Sequence, residues 1–316
     1  MIPAAFEYTR PSTVDEAVAA LADEDAKVLA GGQSLLPLLR LRLAAPTTVD
    51  EAVSTLRDAG EDAKVIAGGQ SLIPLLRLRF AAPSTLVDLG GIDELRQVRE
   101  DGDALVIGAM VTHATVLRDP LVNEHLPLLA SATATVADRQ VRHRGTFAGS
   151  LAHADPAGDL PAVALVLGAE MEIAGPNGRR VVPAGEFFVD YLTSVVAPDE
   201  VLVAVRVPKQ GAWVGSYQKF NRVAQGWALV GVAAMVKREN GTVSAARVGL
   251  TNMGSTPLRA TATEEALAGA DSREAIGAAT ARVADGTRPS DDMLGSADYR
   301  RHLAGVLTRR AVASLV

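Results

Sequence analysis

Two stretches of the chain, VLAGGQSL at 28–35 and VIAGGQSL at 65–72, carry almost the same words, and the fold depends on what that phrase is. Working outward, PSTVDEAVAALADEDAKVLAGGQSLLPLLRLRLAAP at 11–46 returns as PTTVDEAVSTLRDAGEDAKVIAGGQSLIPLLRLRFAAP at 46–83, the second copy longer by two residues. In each copy Thr followed by Val-Asp-Glu-Ala-Val reads as a capped helix start with apolar residues spaced by three and four. The run Lys-Val-Ile-Ala reads as a buried strand. Gly-Gly-Gln-Ser turns the chain, and Leu-Ile-Pro-Leu-Leu-Arg opens another helix, its Pro near the first turn where a missing N–H costs least. Solenoids need about three or more such units to bury a continuous core. The phrase stops after two, which points to a tandem duplication.

Beyond the repeat, TLVDLGGI (85–92), ALVIGAMVTHATV (104–116) and a helical PLLASATATVA (127–137) continue an alternating α/β pattern. A second Gly-centred turn follows in RHRGTFAGSLAHADPAGDLPA, ahead of a helix expected near Leu160. MEIAG and RRVVPA read as strands and FFVDYL as a helix. After a break at PKQGAWVG (208–215), antiparallel strands are joined by Glu-Asn-Gly-Thr, and the last part is Ala-rich helix. Each Gly turn follows a strand, offers several backbone N–H groups and adds hydroxyls, Ser71 in one and Thr146 and Ser150 in the other. Two such turns could grip a diphosphate from both sides, as a dinucleotide requires. Neither is a P-loop or a GxGxxG turn. Either alone could also be only a tight turn.

Composition narrows the chemistry. A chain of 316 residues with 48% hydrophobic content can build about two domains with real cores. The net charge of −6 offers no basic stripe for nucleic acid, and no apolar run reaches the length of a membrane span. The opening MIPAAFEYTRPS lacks a secretory pattern, so a cytoplasmic location is expected. There is no cysteine, so disulfides, thiolate catalysis and iron–sulfur ligation by this chain are excluded. His113, His125, His143, His153 and His302 show no metal-ligand spacing, and each reads as a surface or capping residue. GxSxG is missing, and no catalytic residue or metal site is assigned.

AGGQSLIP (67–74), GTFAGSLAHADPAGDLPA (145–162) and YQKFNRVAQGWALVGVA (217–233) together resemble the FAD-binding medium subunit of molybdenum hydroxylases. MIPAAFEYTRP, VGLTNMGSTPLRA and YRRHLAGVLTRRAV are most similar to its carbon monoxide dehydrogenase branch. The resemblance covers the chain apart from one repeat copy. It implies an α+β protein: a two-lobed α/β FAD-binding domain of the vanillyl-alcohol-oxidase (PCMH) type over 1–210, with lobes about 1–88 and 89–210, then a C-terminal domain of antiparallel sheet and helices over 211–316.

Carried over, Ala67, Gly68, Gly69, Gln70, Ser71 and Leu72 form one diphosphate clamp, and Thr146, Phe147, Ala148, Gly149 and Ser150 the other. The family's second turn is Thr-Ile-Gly-Gly-Asn, so Ala148 and Ser150 are departures, and an Asn amide contact would be lost. Asp159 matches a carboxylate that bonds a ribose hydroxyl; an N-cap for the following helix is the alternative. Lys219 matches a lysine near the flavin, against a plain exposed strand lysine. Trp227 stands where relatives stack a Tyr on the isoalloxazine, against a core role. The Asp before that aromatic is Gly226 here. Arg139, Arg142 and Arg144 are either solvated surface or a partner contact.

The second repeat copy is expected in the clamp, because it runs directly into TLVDLGGI and its longer DAGEDAKV matches the family spacing. The first would then be an inserted helix–strand–helix with an exposed apolar LLPLLRLRL. The resemblance implies noncovalent FAD, with the molybdenum cofactor on a large partner subunit and iron–sulfur clusters on a small one, in a dimer of heterotrimers. Electrons would leave for an external acceptor, with membrane association only through the complex. A medium subunit for xanthine or an aromatic heterocycle, or an assembly protein that has lost flavin, are the rival readings.

Overall fold

The computed structural model describes residues 42–316 together with Thr13, Glu16, Val18 and Ala19. Nearly all of the first repeat copy, including its Gly31–Gly32 turn, lies outside the described residues. Its tail does not. Arg42–Ala44 forms β1, followed by α1 (Val49–Ala59), β2 (Ala63–Ile66), α2 (Leu72–Arg77) and β3 (Thr85–Asp88). The sheet order is β1-β3-β2, and both outer strands run parallel to β3. The last residues of copy one therefore supply the strand beside copy two.

The helix start behaves as the sequence predicts. Thr48 caps α1 by accepting from the Glu51 N–H at 3.2 Å, while Glu51 accepts from the Thr47 N–H at 2.8 Å, and Val49, Ala52, Val53 and Leu56 form the buried stripe. The Lys-Val-Ile-Ala strand is less buried than expected. Only Ala63 is fully covered, because the far face of β2 opens onto a cleft.

The second lobe departs from a simple α/β alternation. β4 (Val98–Asp101) and β5 (Ala104–Gly108) form a hairpin, then come α3 (His113–Arg118), α4 (Pro120–His125), α5 (Pro127–Ala134), α6 (Arg139–Arg144), α7 (Phe147–His153) and α8 (Asp159–Leu167). β6 (Glu170–Gly175), β7 (Gly178–Pro183), a short α9 (Ala184–Phe187), β8 (Phe188–Asp190), β9 (Thr193–Ser194) and β10 (Val201–Pro208) complete it. The sheet order β4-β5-β10-β6-β7 is antiparallel throughout. FFVDYL is not a helix. Phe187 ends α9 in the core and the chain then extends into β8, because consecutive apolar residues here satisfy a buried corner rather than a helical face.

The C-terminal part places β11 (Val214–Phe220), β12 (Val230–Glu239), β13 (Thr242–Thr251) and β14 (Leu258–Arg259) in one antiparallel sheet. Asn240 and Gly241, both at positive φ (52° and 86°), make the tight turn between β12 and β13. Then come α10 (Thr261–Ala266), α11 (Arg273–Thr280) and α12 (Ala297–Ala313). β12 is apolar on both faces. Ala233 and Met235 join the core of the first part, whereas Val232, Ala234 and Val236 join the core under α12. The same strand is thus the floor of two cores.

Candidate flavin cleft

The phrase repeated in the sequence sits at the end of β2, where the parallel sheet stops and the backbone is free to turn. Gly68 lies so close to the other turn that a Cβ there would come within 2.7 Å of the Gly145 Cα and would strike the Arg144 carbonyl. No other residue fits this approach. Across the contact, Thr112 and Thr146 form an isolated β-bridge, the His113 N–H donates to the Gly145 carbonyl at 2.8 Å, and the Phe147 N–H to the Val111 carbonyl at 3.2 Å. The two Gly turns, distant in sequence, are therefore neighbours held by main-chain bonds.

Between them lies a cleft of about 330 Å³, within the ordinary range of small-molecule sites. One wall is Ala67 to Leu72; the other includes Thr146, Ala148, Gly149 and Ser150. Among the described residues no acceptor meets the N–H groups of Gly69, Gln70 and Ser71, and the Ser71 hydroxyl caps nothing. Gly69 and Ser71 are half-buried and Gln70 is exposed, so these free main-chain N–H groups stand as a row of donors along the cleft wall, an arrangement that suits an anion. The Thr146 hydroxyl is occupied, accepting from the Gly149 N–H at 3.0 Å, and the Ser150 hydroxyl donates to the Phe147 carbonyl at 2.8 Å. The Phe147 side chain is fully buried, so that residue offers the cleft no side chain.

Asp159, Lys219 and Trp227 do not line this cleft. Asp159 is the first residue of α8 and does not cap it; Gly158 holds the cap position, so the N-cap alternative fails. Its carboxylate is buried, and each oxygen has one partner. Oδ1 accepts from the Tyr217 hydroxyl at 2.6 Å, and Oδ2 pairs with the Lys219 ammonium at 2.8 Å, which also donates to the Thr135 carbonyl at 3.2 Å. Burial raises the Asp159 carboxyl above its usual range, with Lys219 and Tyr217 pulling it back. Burial and the neighbouring Asp159 push the Tyr217 phenol well up. The Lys219 side chain is 6% exposed, so the reading of a plain surface lysine is wrong. Tyr217 went unnoticed in the sequence, although it shares one face of β11 with Lys219 at a spacing of two. Gly231 makes room for it, since a Cβ there would meet the Tyr217 hydroxyl at 2.5 Å.

Trp227 is 58% exposed, which overturns a core role. It rides on the loop between β11 and β12, closed by the Leu229 N–H donating to the Phe220 carbonyl at 2.8 Å. The base of that loop is fixed by Asn252, donating to the Ala228 carbonyl at 2.8 Å, and by the fully buried Arg300, donating to the Leu229 carbonyl at 2.8 Å and paired with Asp292 at 2.6 Å. His113, expected at the surface or as a cap, is instead 3% exposed beneath Gly145 and lines the cleft. Burial first, and the Arg142 charge second, lower its pKa to about 4. Glu200 lines the cleft as well, held below its usual pKa by the Arg180 guanidinium at 2.8 and 2.7 Å.

Unmet N–H donors, a glycine contact that any side chain would wedge open and an unpartnered buried imidazole all fit a diphosphate-bearing cofactor between the turns. The family model described as "FAD binding domain in molybdopterin dehydrogenase" matches residues 4–49 and 39–210, and "CO dehydrogenase flavoprotein C-terminal domain" matches 215–315. The double match over the first part reflects the duplication. The chain is 41% identical to the carbon monoxide dehydrogenase medium chain of Hydrogenophaga pseudoflava, covering 99% of this chain and 97% of that one. It is 37% identical to the nicotine 6-hydroxylase medium subunit of Paenarthrobacter nicotinovorans, covering 98% and 96%. A solved structure of the Hydrogenophaga pseudoflava carbon monoxide dehydrogenase superposes with a TM-score of 0.84 at 42% identity, over 87% of this chain and 96% of that chain.

Proposed function

The chain belongs to the FAD-binding medium subunits of molybdenum hydroxylases, and from that premise we propose that it is the electron outlet of a carbon monoxide dehydrogenase. The observation that carries the reading is the cleft between the Gly68 and Gly145 turns, with its row of unmet N–H donors. FAD, when bound, supplies a carrier that accepts electrons and hands them on to an external acceptor. The chain's own residues hold it. The main chain of 67–72 and 146–150 grips the diphosphate, Asp159 adds a ribose contact through its remaining lone pairs, Lys219 supplies positive charge near the ring, and Trp227 covers one ring face. No residue here oxidises the primary substrate. Partners carry the molybdenum cofactor and the iron–sulfur clusters, in a dimer of heterotrimers. Among the described residues no helix is long and apolar enough to cross a membrane, in keeping with a cytoplasmic complex that meets the membrane only through its partners.

The purified chain should show a flavin spectrum, and acid or heat should release the chromophore, since there is no cysteine to form a thioether. A colourless chain that fails to take up FAD would favour the assembly-protein reading. Within the intact complex, carbon monoxide should bleach the flavin absorbance while the isolated chain stays unchanged. Bleaching by a nitrogen heterocycle instead would favour the second reading, which the 37% identity to a nicotine 6-hydroxylase subunit keeps open.

A further inference from the structure

We infer that His113 is a third element of the cofactor cradle, a ligand-contacting residue whose neutral imidazole donates a hydrogen bond from Nε2 to the diphosphate held between the Gly turns. The inference rests on the reading of the cleft as the FAD site. Its ground is geometric. The ring is 3% exposed and lines the cleft, and Nδ1 is wholly buried with no partner. Among the described residues no hydrogen bond reaches either ring nitrogen. The Cδ2–Nε2 edge faces the second turn: a Cβ on Gly145 would lie 3.0 Å from Cδ2 and 3.2 Å from Nε2. Nδ1 is the sealed atom, whereas Nε2 lies on the edge of the ring beside Gly145, where the two turns meet and where a ligand oxygen can reach it.

The ring is held there. The His113 N–H is tied to the Gly145 carbonyl, Thr112 before it caps α3 by accepting from the Thr115 N–H at 3.1 Å, and the Thr112–Thr146 bridge fixes the segment to the turn. Burial keeps the imidazole neutral, with the Arg142 charge a second cause. Arg142 of α6 is the cation nearest in effect, and it is itself bound to the Val136 carbonyl at 2.6 Å and the Ala137 carbonyl at 3.1 Å. From α7, His153 lines the same cleft and is also kept neutral by burial; on the opposite side Glu200 is spent on Arg180. Among the described residues no carboxylate pairs with His113. Placing the proton on Nε2 puts the donor at the cleft and leaves a bare acceptor inside. A neutral donor to an anionic oxygen is a charge-assisted bond.

The test uses the full chain with ¹⁵N-labelled histidine, titrated with FAD at pH 7. His113 should show the Nε2-protonated neutral form, its Nε2 signal should move on FAD addition, and a coupling across the hydrogen bond to phosphorus should appear. His113→Leu should weaken FAD binding by about tenfold to a hundredfold, the range for losing a bond to a charged partner, while His113→Gln, which keeps a donor, should stay within about threefold. Unchanged affinity in a folded His113→Leu variant, or an unmoved Nε2 signal in the wild-type complex, would overturn the proposal while leaving the flavin reading intact. A wild-type chain that binds no FAD would overturn both.

Discussion

His113 and Asp159 are both titratable groups taken out of water, and their pH dependences run in opposite directions. The His113 pKa falls from 6.5 to about 4 on folding, so between those values the unfolded chain binds more protons. Its contribution is fully present above pH 6.5 and is lost as pH falls toward 4. The shift corresponds to about 3 kcal/mol. Asp159, raised on folding, contributes stability at low pH that is lost as pH rises through its folded value. Denaturant unfolding of FAD-free wild type and His113→Leu, run from pH 8 to 4.5, isolates the first term: the wild type should lose stability relative to the variant as pH drops, and a constant difference would contradict it. The Lys219–Asp159 pair gives a second expectation. Lys219→Met leaves a buried carboxylate with only Tyr217 and should cost about 3–5 kcal/mol, with much of it recovered in Lys219→Met/Asp159→Leu. If the single and double variants unfold alike, Lys219 is not compensating Asp159.

At the scale of elements, the contact between the Gly68 and Gly145 turns decides the site. Gly68→Val should push the turns apart and abolish FAD uptake, whereas Gly31→Val in the other copy should leave it intact; equilibrium dialysis against FAD distinguishes them, and loss with Gly31→Val would reverse the assignment. This part was legible in the sequence, because glycine words, the Thr-Val-Asp-Glu cap and the Asn-Gly turn act through neighbouring residues. What escaped depends on distant partners. His113 looks like any helix-start histidine until the Thr112–Thr146 bridge lays Gly145 over it. Lys219 looks like a surface lysine until Asp159 arrives from α8. FFVDYL carries apolar residues that suit a helix, a strand or a corner, and the core around Phe187 selects the corner. The supply of β1 by the tail of copy one was not foreseen, since RLAAP and FEYTRP share little beyond the proline.

For the whole molecule, the shared strand β12 makes the two parts interdependent. Arg247 of β13 stacks 4.4 Å from the Trp213 ring and donates to the Val166 carbonyl of α8, and the Asn252 N–H donates to the Pro156 carbonyl at 2.8 Å. A chain ending at Gln210 would bare the apolar surface that Ala233 and Met235 cover, and is expected to be insoluble or to bind the dye ANS; a monomeric, FAD-binding fragment would disprove the shared core. Excising 11–45, so that Arg10 joins Pro46, should keep FAD binding, with FEYTR taking the place of β1. The strand order adds a consequence for how the chain comes to be made. β3 is the central strand, yet it is synthesised after both copies, so neither can complete the parallel sheet on emerging from the ribosome. When β3 appears, both are already waiting. Copy two must close only the connection 67–84, whereas copy one would have to close 30–84, roughly three times longer and dearer by about 1 kcal/mol of loop entropy. Nearness along the chain, rather than priority of synthesis, then favours the second copy by roughly fivefold before any side chain has packed.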